Sequence, residues 1–172
     1  MDQNNARWQW QLNGVPQSAL PDKSKWFIYP FFGFHMLMFG LSGFFMAYAT
    51  HGPDLVFIYL HGGIAILVYL VFYRVIFGVD EVKWMLINAA LGILGIYSQL
   101  GWLLALFGKN IDDYPWYVNV TPFLYYVLYT FLLRQFLIDV TGSRGNLARL
   151  KWVNAFYVTG SLLVYGGMLV RT

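Results

Sequence analysis

Residues 26–50 read WFIYPFFGFHMLMFGLSGFFMAYAT and residues 54–77 read DLVFIYLHGGIAILVYLVFYRVIF, with Gly52-Pro53 in the short break between them. Each stretch exceeds the roughly 20 apolar residues that a helix needs to cross the hydrocarbon core of a bilayer. Each also has one histidine in its interior, His35 in the first and His61 in the second. A short connection between two such stretches predicts an antiparallel hairpin of membrane-spanning helices.

The apolar pattern of this hairpin continues along the chain. We predict an all-α, polytopic membrane bundle of five transmembrane helices, at residues 26–50, 54–77, 84–107, 116–138 and 152–170. Each stretch would extend roughly 28–37 Å as a helix, which matches a bilayer core of about 30 Å. The fifth is the shortest and contains three glycines. The polar residues 1–25 are expected to form a cytoplasmic or interfacial segment ahead of the transmembrane domain, residues 26–172.

The composition indicates a single membrane domain. Of the 172 residues, 59% are hydrophobic and only 11% are charged, whereas soluble domains carry about 25% charged residues. The chain has no cysteine, which excludes disulfides and thiolate ligands for a metal or a haem. A net charge of +3 is too small to indicate nucleic-acid binding. The expected surroundings are therefore the lipid bilayer and other membrane-protein subunits.

Positive charge is distributed unevenly among the predicted loops. Lys109 and Arg171 lie on one side of the predicted membrane, and the other side carries Arg7, Lys23, Lys25, Arg74, Lys83, Arg134, Arg144, Arg149 and Lys151. Because positive charge is retained in the cytoplasm, this bias predicts a cytoplasmic N-terminus and an outer C-terminus. It fits a protein of the bacterial inner membrane.

The two histidines inside the first hairpin are candidate cofactor ligands. Neutral imidazole is a good axial ligand for haem iron or for the magnesium of a chlorin. Gly33, Gly62 and Gly63 lie beside His35 and His61 and would give a haem b or a bacteriochlorophyll room to approach the helices.

The predicted depths of the two histidines favour a structural role over a shared ligand. His35 lies roughly 14 Å from the cytoplasmic end of its span, and His61 lies roughly 10 Å from the outer end of the next span. One haem held by both would require a tilt or a register shift. The more common alternative is that each imidazole hydrogen-bonds to a neighbouring helix.

Polar side chains in the third and fourth spans form a second candidate site. Gln99, Tyr125 and Tyr129 could contact a quinone carbonyl or another polar group. Helix packing is the more common explanation, because Gln99 shares one helical face with Asn88, Gly92 and Gly95. The phenols of Tyr125, Tyr126 and Tyr129 would need hydrogen-bond partners inside the bilayer, for which His35, His61 and Gln99 are the candidates.

Patterns typical of catalysis and transport are absent. No Asp or Glu lies in the interior of a predicted span, and Asp54 stands at the very start of the second, whereas proton-coupled and cation-coupled transporters usually keep an intramembrane carboxylate. No nucleophile–base signature of a hydrolase occurs, and no spacing of His, Asp and Glu is typical of a metal site. We therefore expect no catalytic residues and no metal centre.

These observations favour a non-catalytic accessory or scaffold subunit of a larger membrane complex. A bacterial respiratory or photosynthetic assembly fits best, with lipid, quinone or pigment at the seams between subunits. The first alternative is a haem b-binding electron carrier or membrane anchor that uses His35 and His61. The second is a small-solute channel or carrier.

Overall fold

A computed structural model describes residues 22–170 of the chain. The predicted polar segment lies almost entirely outside these residues, as do Arg7 and Arg171. The described part is helical and contains no strand. Its six α-helices are α1 (Asp22–Tyr48), α2 (Leu55–Phe77), α3 (Val79–Val82), α4 (Trp84–Leu106), α5 (Val120–Val140) and α6 (Leu147–Leu169). Two short 3-10 turns, Ile111–Asp113 and Trp116–Asn119, connect α4 to α5.

Four of the helical stretches are long and apolar enough to cross a membrane. They are Trp26–Tyr48, Leu55–Phe77, Val79–Leu106 and Trp116–Val140. Each overlaps one of the first four predicted spans, which confirms the prediction of an all-helical protein with the composition of an integral membrane protein.

The fifth predicted span also forms a helix, but it differs in composition from the other four. Helix α6 is 23 residues long and is not among the stretches that combine this length with a sufficiently apolar composition. Its first two turns carry Arg149, Lys151 and Asn154, and Thr159 and Ser161 follow near its middle. Length and composition therefore support four membrane-crossing stretches within residues 22–170, and a fifth crossing stays a prediction.

Helix α5 lies at the centre of the bundle. It packs against α1, α2, α4 and α6, and ten of its 21 residues are buried. Phe131 and Leu128 of α5 meet Tyr73 of α2 in the main apolar core. Because α5 contacts four other helices, any groove beside α5 is formed by two or more helices that pack against one another.

Glycines allow several of these helices to approach closely. A Cβ atom added at Gly92 would lie 2.8 Å from the ring of Tyr126 on α5, and one added at Gly95 would lie 2.7 Å from the ring of Tyr165 on α6. Asn88 accepts a hydrogen bond from the Tyr157 hydroxyl of α6, at 3.2 Å. The face predicted on the third span therefore packs against α5 and α6.

Local signals explain where the helices begin and end. The Asp54 side chain accepts a hydrogen bond from the Phe57 N–H at 2.7 Å and caps the start of α2. Gly78 ends α2 with a φ of 89°, a conformation that glycine adopts without strain. Asn146 caps α6 by accepting from the Arg149 N–H.

Candidate functional site

Both candidate histidines line one groove on the surface between α1 and α2. The groove has a volume of about 410 Å³, and its walls are mostly aromatic and aliphatic. We call it the histidine groove; it is lined by Phe31, Phe32, His35, Phe39, His61, Ile64, Ala65, Val68, Tyr69 and Phe72. The two imidazoles are half-buried, so part of each ring is accessible from the groove.

The hydrogen bond of His35 defines which of its ring nitrogens is free. His35 Nδ1 lies 2.9 Å from the carbonyl oxygen of Phe31, one turn earlier in α1. A carbonyl oxygen only accepts, so Nδ1 carries the proton and donates it. In the neutral ring, Nε2 then keeps its lone pair and is available as an acceptor or as a metal ligand.

His61 is held by ring contacts. Its ring is parallel to that of Phe57, with centroids 6.0 Å apart, and lies 5.7 Å from the ring of Phe39. It has no hydrogen-bond partner in the part of the chain that the structure describes. Phe39 follows His35 by one helical turn, so the imidazoles are offset along the groove by about 6 Å. Ligation of one metal by both rings would therefore require a shift between α1 and α2.

The three glycines near the histidines do not line this groove. Gly62 faces α5, where an added Cβ would lie 2.5 Å from the Thr121 side chain, so this glycine allows close helix packing. Gly33 lines a different cavity, of about 310 Å³, together with Tyr129. A Cβ added at Gly63 would meet no atom within 4 Å. A macrocycle bound at the histidines would therefore have to fit in the histidine groove itself, without space contributed by these glycines.

The second candidate set meets in another groove, formed by α1, α4 and α5. It has a volume of about 370 Å³, and we call it the tyrosine groove. Gln99, Tyr125 and Tyr129 all line it, together with Tyr126 and twelve other residues, mainly apolar, from the three helices. Residues that the sequence places on two different spans are thus brought together in one groove.

Tyr125 does not have the hydrogen bond that was expected for it. The residue is only 6% exposed, and its enclosed hydroxyl has no hydrogen-bond partner among the described residues. The interactions of His35 and His61 involve other groups, and no bond joins Tyr125 to Gln99. A buried hydroxyl in this state carries a desolvation cost of about 1–3 kcal/mol.

A polar network at one end of the bundle is the feature that sequence reasoning missed. Its centre is Arg134, which is 0% exposed. Its Nη1 donates to Glu81 Oε2 at 2.6 Å, and its Nε donates to Asn154 Oδ1 of α6 at 2.9 Å. Its guanidinium carbon also lies 3.8 Å from the centre of the Trp84 ring.

The network extends from Glu81 across the bundle to α1. Gln135 donates to Glu81 at 2.7 Å and accepts from Arg144 Nη2 at 2.9 Å. Arg144 is also paired with Asp139, and Asp139 in turn accepts from the Tyr29 hydroxyl. Burial opposes the charged form of Arg144, but the hydrogen bond and charge of Asp139 outweigh it, so the pKa of this guanidinium is raised.

The network contains two carboxylates that lie just outside the predicted spans 84–107 and 116–138 but within the helical stretches that are long and apolar enough to cross a membrane. Glu81 lies in the stretch Val79–Leu106 and Asp139 in the stretch Trp116–Val140, and Glu81 is buried. The sequence signal was Arg134-Gln135 inside an apolar run, because a charge there requires a partner. In the sequence, Arg134 also belongs to the charge bias that predicts the orientation.

The described residues thus form an all-helical protein, and the length and composition of four helical stretches are those of an integral membrane protein. Comparisons with protein-family models, with curated proteins and with solved structures find no match. Within residues 22–170, no group of three or more His, Asp and Glu side chains is arranged to hold a metal ion.

Proposed function

We propose that the chain is a non-catalytic subunit of a larger membrane complex, of the bacterial energy-transducing kind, and that it attaches to its partner through α6. The observation that carries this proposal is the exposed surface of α6. Of its 23 residues, only Leu150, Tyr157 and Tyr165 are buried.

The exposed side of α6 has the residue types of a helix interface. Ala155, Thr159 and Gly166 are exposed and recur at helical spacing on one face. A Cβ added at Gly160, Gly166 or Gly167 would meet no atom within 4 Å. In lipid, small residues and hydroxyls allow close approach and hydrogen bonding between helices. A partner helix therefore suits this face better than acyl chains do.

Site-specific photo-crosslinking in native membranes tests this proposal. With benzoylphenylalanine at position 159, we expect a discrete adduct with a second protein. The matched control is position 67, where Leu67 is exposed on α2 and should give no protein adduct. An adduct only with another copy of this chain, or equal labelling at both positions, would contradict attachment of a distinct subunit through α6.

A second candidate function is the binding of a tetrapyrrole, such as haem b or a bacteriochlorophyll, in the histidine groove. It is favoured by the presence of both imidazoles in one aromatic groove and by the free Nε2 of His35. Absorption spectra of the purified protein, oxidised and reduced with dithionite, test it. A Soret band should be lost in His35→Ala or His61→Ala and kept in His51→Ala, since His51 lies in an exposed turn. A colourless wild-type protein would refute this candidate.

A further inference from the structure

Gln99 places an unpaired amide in the wall of the tyrosine groove. It lies seven residues before the end of α4 at Leu106, about 10 Å along the helix, and so at the depth of the hydrocarbon core. Its side chain forms no hydrogen bond within residues 22–170. An amide without a partner is costly in hydrocarbon, so this position favours an occupant that hydrogen-bonds.

Tyr125 adds a hydrogen-bond donor from the neighbouring helix α5. Tyr125 lines the same groove, and its enclosed hydroxyl has no hydrogen-bond partner among the described residues. Gly40 of α1 also lines the groove, and a Cβ added there would meet no atom within 4 Å. Donation from Tyr125 to a bound molecule requires its ring to turn so that the enclosed hydroxyl faces this open space. An oxygen acceptor on the ligand would satisfy that hydroxyl.

The other residues that line the groove indicate the size and the polarity of a ligand that would fit there. None of the described residues that line the groove is charged, and Phe44, Phe45 and Leu100 are typical of them. A volume of about 370 Å³ lies in the range of sites that bind small molecules, in which apolar walls surround a few polar groups. The matching ligand is neutral, has an apolar ring and carries a carbonyl oxygen.

We propose that the tyrosine groove binds a lipid-soluble quinone. The Tyr125 hydroxyl and the Gln99 amide donate hydrogen bonds to its carbonyl oxygens, and the ring lies between the apolar walls. The tail leaves past Leu37 and Leu41, which line the groove and are exposed on the outer surface of α1. The site is built from this chain alone, so it does not depend on a partner at α6.

Binding of decylubiquinone to the full chain in phosphatidylcholine nanodiscs tests the proposal. Quenching of tryptophan fluorescence should be saturable, and the Kd should rise about five- to tenfold in Gln99→Leu and in Tyr125→Phe, the effect of losing one hydrogen bond. Gly40→Leu fills the open space and should abolish saturable binding. The control is Tyr97→Phe, because Tyr97 is exposed on α4 and does not line this groove; its Kd should equal that of the wild type.

Two controls separate polar recognition from simple partition into lipid. Decylbenzene has a ring and a tail but no carbonyl, so it should not displace the quinone at equal concentration. Wild-type affinity in both Gln99→Leu and Tyr125→Phe, or quenching that never saturates, would overturn the proposal. So would a photo-crosslink from position 99 to a partner protein, because a helix would then occupy the groove. None of these results changes with the outcome of crosslinking at position 159.

Discussion

Replacing Glu81 by glutamine should destabilise the protein strongly, because it leaves a buried cation without its counter-ion. Glu81 Oε2 accepts from both Arg134 and Gln135, and the side chains of the Glu81–Arg134 pair are 6% and 0% exposed. Removing one partner of such a pair typically costs about 3–5 kcal/mol. Glutamine keeps the shape and one acceptor oxygen, so we expect a loss of about 3 kcal/mol in the free energy of unfolding.

The neighbouring residue provides a matched control. Asp80 is paired with Lys83 at 2.7 Å, but both side chains are largely exposed. An exposed pair of this kind contributes about 0–1 kcal/mol, so Asp80→Asn should change the free energy of unfolding by less than about 1 kcal/mol. The two variants remove the same charge from adjacent positions of α3 and differ mainly in burial.

Reversible unfolding with dodecyl sulfate in mixed micelles, followed by tryptophan fluorescence, measures both changes. Trp84 stacks on the Arg134 guanidinium and reports on the network directly. A double-mutant cycle with Arg134→Met should recover much of the loss, because neither charge then remains unpaired. Equal effects of Glu81→Gln and Asp80→Asn, or no recovery in the double variant, would refute this account of the network.

Three further predictions concern packing and topology. Tyr125→Phe removes an unsatisfied hydroxyl, so without quinone it should stabilise the protein by about 1 kcal/mol in the same unfolding assay; a loss of stability would show that the hydroxyl has a partner. Gly95→Ala should cost about 1–3 kcal/mol because the new Cβ would meet the ring of Tyr165 at 2.7 Å, whereas Gly160→Ala should be neutral or stabilising. Alkaline phosphatase fused after residue 172 should be active if α6 crosses the membrane; activity only when it is fused in the loop between α2 and α4 would reverse the proposed orientation.

The helices could be predicted from the sequence because their boundaries are local. The prediction of 54–77 agrees with α2, Leu55–Phe77, and that of 84–107 with α4, Trp84–Leu106. Apolar runs interrupted by Gly52-Pro53 and Gly78 leave little freedom in where a helix can begin or end. Helix α1 begins earlier than predicted, at Asp22, and continues through Pro30.

Contacts between distant residues could not be predicted in this way. Glu81 and Arg134 are separated by 53 residues, and Tyr29 and Asp139 by 110. Their pairing depends on the rotation of each helix about its own axis, which apolar stretches with little amphipathic pattern do not reveal. The meeting of His35 and His61 in one groove depends on the same rotation. Composition and local signals therefore predict the helices but not the sites between them.

The positions of the network residues along the chain lead to an expectation about the assembly of the protein. Its two guanidinium groups and two carboxylates form two ion pairs with no net charge. The acid Glu81 precedes Arg134 along the chain, so during synthesis it reaches the membrane before α5 does. We therefore expect Glu81 to be in place as a counter-ion when α5 inserts, whereas a chain without the first two helices and α3 would bring Arg134 to the membrane unpaired. Insertion of α5 should accordingly depend on the earlier insertion of the segment that carries Glu81.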